Sequence, residues 1–211
     1  MNKTSGEFEA RSYFPTPVTL FDLPDGDHLN GLLGPLILAR EKSQASVDHS
    51  NLGGWQSADD FQDWSGDAGA KLLGHGVALA NRLTADRDGN PVEIEWRVNS
   101  WANINRKGHA NEFHTHPGCF WSGSYYVDDG GTADDRSLGG EFEIKDPRGV
   151  APAMYAPDLC YNLPGCQSLG ASELIFPRAG AMVLFPSWLS HAVRPYRGSG
   201  TRISVAFNFS L

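Results

Sequence analysis

The spacing of apolar positions changes near residue 90. Before it, they recur every three to four residues. Leu29, Leu32, Leu33, Leu36, Ile37 and Ala39 follow Asp27, which is placed to cap a helix carrying Pro35 in its early turns. A short helix is expected at Ala58–Trp64. A longer one is expected at Asp67–Ala85, where Ala70, Leu72, Leu73, Val77, Ala80 and Leu83 keep helical spacing. A short strand fits Val18–Phe21. Asn51–Ser57 is polar and Gly-rich around Trp55, and reads as a loop over a pocket mouth or as a surface turn. Asp86–Pro91 is a turn.

From Val92 onward the apolar positions alternate. Strands are expected at Val92–Asn105, Phe120–Val127, Glu141–Lys145, Glu173–Phe176, Ala181–Phe185, Ala192–Pro195 and Arg202–Phe209. Residues 147–172 form a long irregular stretch, expected to act as a lid or a subunit contact. The pattern predicts an α+β chain, mainly β, with residues 1–211 as one domain. Its N-terminal helical part, 1–90, packs on one sheet of a β-sandwich or barrel formed by 91–211.

Composition narrows the function classes. With 211 residues, 40% of them hydrophobic, the chain can bury a sizeable core. A net charge of -8 excludes a basic nucleic-acid footprint. No apolar run approaches the ~18 residues that a membrane span needs. Three cysteines, Cys119, Cys160 and Cys166, are too few and odd in number for a disulfide framework, so free thiols in a reducing cytoplasm are expected.

The chemistry-bearing residues lie in the second half. In Phe113-His114-Thr115-His116-Pro117, an extended backbone would turn His114 and His116 to the same face, and Pro117 favours extension at His116. His191 follows an apolar strand and a turn, just before another strand. In the last strand Ile203, Val205 and Phe207 share one face, while Arg202, Ser204 and Asn208 share the other. An arginine there needs an anionic partner, either a core carboxylate or a ligand. Trp101, Asn103 and Asn105 share a face of their strand, and Tyr126 alternates with Ser122 and Ser124 on the next. Glu112 shares the histidine face if its strand starts early, and His109 reads as a loop residue.

Two histidines, a distant third and an arginine eleven residues later resemble the Fe(II)/2-oxoglutarate oxygenases. The chain is similar in particular to a bacterial 2-oxoglutarate/Fe(II)-dependent oxygenase family of the double-stranded β-helix superfamily. Matching segments include Tyr13–Pro17, Asn51–Ser57, Trp101–Asn105, His114–Pro117, Ser122–Tyr126, Asp146–Arg148, Leu184–His191 and Arg202–Asn208. The resemblance implies a double-stranded β-helix (jelly-roll, cupin-like) core with N-terminal helices on one sheet. It implies Fe(II) on His114, His116 and His191, with 2-oxoglutarate as co-substrate anchored by Arg202. Ser204, Asn103, Asn105 and Tyr126 are its expected supporting contacts. The implied activity is hydroxylation of a small molecule or a protein side chain. One position departs from the wider pattern, because His116 stands where a carboxylate is usual. A three-histidine centre oxygenating a chelating substrate without 2-oxoglutarate, or a metal-stabilised protein that merely binds a small carboxylate, are the alternatives. An exposed strand edge or the 147–172 stretch could support a homodimer.

Overall fold

The computed structural model describes residues 9–162, 170 and 172–211. Cys166 lies outside the described residues. Every strand pairing is antiparallel, and the strands form two sheets.

The larger sheet holds six strands. Its order is β1 (Thr19–Asp22), β9 (Ala181–Pro186), β6 (Trp121–Asp128), β11 (Arg202–Ser210), β4 (Arg97–Asn105) and β3 (Trp55–Gln56). The smaller sheet runs β2 (Asn51–Leu52), β5 (Ala110–His114), β10 (His191–Val193), β7 (Phe142–Lys145) and β8 (Ser172–Ile175). Four α-helices, α1 (Gly26–Ser43), α2 (Phe61–Trp64), α3 (Gly66–Leu83) and α4 (Ala151–Tyr155), and a 3-10 turn at Arg136–Leu138 complete the described elements.

Two cores follow from strand alternation. Leu29, Leu33 and Ile37 of α1 and Leu72, Leu73 and Ala80 of α3 pack on the outer face of the larger sheet, against Tyr125, Met182, Leu184, Val205, Phe207 and Phe209. Tyr126, Phe142, Ile144, Val183, Phe185 and Leu189 form a second cluster between the sheets. All six residues of β9 are buried, because Met182 and Leu184 meet the helices while Val183 and Phe185 face the other sheet. This is the double-stranded β-helix with helices on one sheet. Gly123 of β6 belongs to the packing as well. A Cβ there would lie 2.4 Å from the Phe207 ring and 2.7 Å from the Val183 carbonyl oxygen.

Several boundaries differ from expectation. Residues 92–96 are not strand, since β4 starts at Arg97. The α1 helix starts at Gly26 with Asp25 as its flanking residue, so Pro35 falls mid-helix. Asn51–Ser57 is not a plain loop. It crosses from the small sheet to the large one, β2 pairing with β5 and β3 with β4. The crossing turns on Gly53 and Gly54, at φ 67° and 77°, a region glycine enters without a steric cost. No described helix is long and apolar enough to cross a membrane.

Candidate metal centre

The ladder between β5 and β10 sets His114 directly opposite His191. His116 lies beyond the end of β5, and its backbone N–H donates to the Ser187 carbonyl at 2.9 Å. This bond ties it to the turn that delivers His191. The three rings converge, with centroids 4.3 Å apart for His114 and His191, 4.9 Å for His114 and His116, and 5.2 Å for His116 and His191. One nitrogen from each lies within 4.8 Å of the others.

The donor set suits a metal. Nδ1 of His114 faces the Glu112 carbonyl oxygen at 2.7 Å, and Nδ1 of His191 faces the Leu189 carbonyl oxygen at 2.9 Å. A carbonyl only accepts, so each Nδ1 carries the proton and each Nε2 keeps its lone pair. Burial lowers the pKa of all three, His116 to about 4 and His191 to about 3, with the neighbouring His114 adding to both shifts. The rings are therefore neutral at physiological pH, as ligands must be. Imidazole donors fit iron, zinc, copper and nickel.

Glu112 is not a member of this cluster. It lines an outer cleft instead. His109 is tied into its own turn, where Nδ1 accepts from the Arg106 N–H at 3.0 Å. Ser122 donates to Oδ1 of Asn208 at 2.7 Å, and Nδ2 of Asn208 reaches to 3.4 Å from Nδ1 of His116.

An inner cavity opens off the histidines. It is lined by Asn103, Ser124, Tyr126, Arg202 and Ser204 beside His114, His116 and His191. Arg202 is 1% exposed and Tyr126 1%. The guanidinium carbon sits 5.0 Å from the Tyr126 ring centroid. Nε of Arg202 has no hydrogen-bond partner, and no ion pair forms at this residue among those described. Desolvation lowers its pKa, while the Tyr126 side chain favours the charged form. Asp129 also favours the charged form, but with no ion pair among the described residues a buried cation is costly, and an anion entering the cavity would offset that cost. Asn105 is buried but lines neither this cavity nor the outer cleft.

That cleft has a volume of about 510 Å³ and is open to solvent. Ser50, Trp101, His114 and His116 line both spaces and form their common wall. Gln56, on β3, lines the cleft and received no role from sequence. Two residues of strand show no periodicity from which it could be found.

The sequence model of the family described as "Putative 2OG-Fe(II) oxygenase" matches residues 99–208, a span that includes the three histidines and Arg202. No curated protein matches by sequence. Among solved structures, the chain is similar to a prolyl-4-hydroxylase of Pseudomonas putida, with 16% identity, 92% of each chain covered and a TM-score of 0.64. A Trichoplax adhaerens prolyl hydroxylase, solved with a hypoxia inducible factor peptide fragment, gives 12% identity and a TM-score of 0.65 over 92% of this chain and 83% of that one. HygX from Streptomyces hygroscopicus, solved with nickel and 2-oxoglutarate bound, gives 11% identity and a TM-score of 0.60 over the same shares.

Proposed function

This chain belongs to the 2OG-Fe(II) oxygenase family, and from that premise we propose that His114, His116 and His191 hold its iron while Arg202 anchors 2-oxoglutarate. The observation that carries this reading is the buried guanidinium, its Nε unpartnered and free of any ion pair among the described residues, in a cavity whose wall is the histidine cluster. When bound, Fe(II) and 2-oxoglutarate supply oxidative chemistry, coupling decarboxylation of the co-substrate to oxidation of a second molecule by O₂.

The protein's own part is placement. Arg202 offers a planar fork to the distal carboxylate. Ser204 and Tyr126 present hydroxyls to the same anion, and Asn103 presents an amide further along the wall. The Glu112 and Leu189 carbonyls orient two of the rings. Phe142 and Phe185 pack on His191 with centroids at 5.2 and 4.6 Å and keep water from its far side. The outer cleft leaves room for the molecule to be oxidised. Its free thiols, Cys119 and Cys160, fit a protein of the reducing cytoplasm.

The test is 2-oxoglutarate binding to anaerobic Fe(II)-loaded protein, with Arg202→Ala as control. Binding that disappears with the arginine supports the assignment. Binding unchanged by the substitution would place the co-substrate elsewhere. No binding by the unaltered chain would favour the three-histidine alternative that works without 2-oxoglutarate.

A further inference from the structure

The two spaces that share the Trp101 wall have opposite character. Among the described residues, Arg202 is the one Lys or Arg lining the inner cavity, and none lines the outer cleft. There the charged side chains besides histidine are Asp59 and Glu112. Asp59 is exposed, accepts from Nδ2 of Asn99 at 3.2 Å and has no cationic partner among the described residues. The Glu112 carboxylate, also exposed, has neither hydrogen bond nor ion pair among the described residues. Lys145 approaches this region but rests on the Phe113 ring, with Nζ 3.9 Å from its centroid, and is not part of the lining.

Gln56 supplies an independent sign of a ligand. It is 3% exposed and lines the cleft, yet its amide makes no hydrogen bond to any described residue. Its polar atoms are not sealed from solvent, so the amide opens on the cleft and is free to bond a group that arrives there. The half-buried Trp101 ring adds an aromatic surface of the sort that attracts cations. A net charge of -8 draws cations toward the protein and repels anions.

Resting on the function proposed above, we infer that the outer cleft takes a substrate bearing an ammonium or guanidinium group, held by Asp59 and Glu112, with Gln56 hydrogen-bonding to a polar group beside it. The charge division then sorts the two reactants. The dianionic co-substrate is favoured only at Arg202, and the cationic substrate only outside it.

Calorimetry on Zn(II)-loaded, 2-oxoglutarate-bound protein tests this with four probes: agmatine and the blocked tripeptides Gly-Arg-Gly, Gly-citrulline-Gly and Gly-Glu-Gly. The expected result is that agmatine or the arginine peptide binds at least tenfold more tightly than the citrulline and glutamate peptides. Agmatine alone would mark a free small molecule, and the arginine peptide a protein side chain. Asp59→Asn and Glu112→Gln should each weaken the basic probe severalfold, and Gln56→Leu likewise. Retained 2-oxoglutarate binding in these variants reports that the fold persists. Equal or tighter binding of the neutral or acidic peptide overturns the inference, as does no binding of either basic probe at millimolar concentration. If 2-oxoglutarate binds normally, that failure leaves the proposed function standing. If cations bind but 2-oxoglutarate does not, the proposed function falls instead.

Discussion

The side-chain amide nitrogen of Asn208 lies 3.4 Å from Nδ1 of His116, while Ser122 donates to the oxygen of the same amide. In this arrangement Nδ1 accepts, which leaves the proton on Nε2. For Nε2 to bind a metal the amide must turn over, so that its oxygen accepts from Nδ1–H. Asn208→Ala should therefore lower metal affinity by about tenfold, since groups that orient a ligand typically contribute ~10–100-fold. A competition titration with a chromophoric chelator reads this. Unchanged affinity would mean that His116 needs no such support.

His116→Asp puts a carboxylate where the wider superfamily usually has one. One negative charge beside a divalent ion is worth more than a neutral donor, even at an effective dielectric constant near 20. Fe(II) affinity should rise roughly tenfold, measured by the same competition. A fall would show that the surrounding shape demands imidazole.

Arg202→Met removes a buried charge that forms no ion pair among the described residues. Replacing such a group by an apolar one of similar size is often neutral or stabilising. The variant should melt at or above the temperature of the unaltered protein when both lack 2-oxoglutarate. Added 2-oxoglutarate should raise the melting temperature of the unaltered protein alone. A variant that melts well below its parent would reveal that Arg202 has a structural partner.

Acid should destabilise the metal-free protein. His116 and His191 titrate near 4 and 3 when folded, against about 6.5 when unfolded. Between those values the unfolded chain holds more protons, so stability falls as pH drops from about 6.5 toward 4. The melting temperature should decline across that window and decline less in His191→Phe. A flat profile would mean that these rings take up protons as readily folded as unfolded.

Gly123→Ala drives a methyl group into the Phe207 ring and the Val183 carbonyl. Overpacking of this kind costs about 1–3 kcal/mol, and a thermal melt should show a fall of several degrees. No loss would mean that β6 and β9 part easily at this point.

Alternation made much of this legible. Arg202, Ser204 and Asn208 face the site, and Ile203, Val205 and Phe207 face the helices, as the period of two requires. The histidine pair was found by a rule that holds only partly. The β5 strand ends at His114, and His116 is held by a long-range bond to Ser187 that local spacing cannot reveal. Gln56 escaped notice because its strand has two residues, and its burial comes from β4 beside it. Asn208 was placed on the correct face, but its contact with His116 spans 92 residues of sequence.

Arg202 begins β11 and Asn208 lies six residues along it, and β11 is paired on both sides, with β4 along all nine residues and with β6. Six residues at ~3.3 Å each separate them by about 20 Å. Backbone pairing, not side-chain reach, thus sets the interval between Arg202 and the Asn208 amide beside His116. A slip of one residue would turn Arg202 toward the helices and bring Ile203 inward. With Arg202 and the histidines in the roles proposed for them, that fixed placement predicts weaker binding of keto diacids one carbon shorter or longer than 2-oxoglutarate, read by calorimetry.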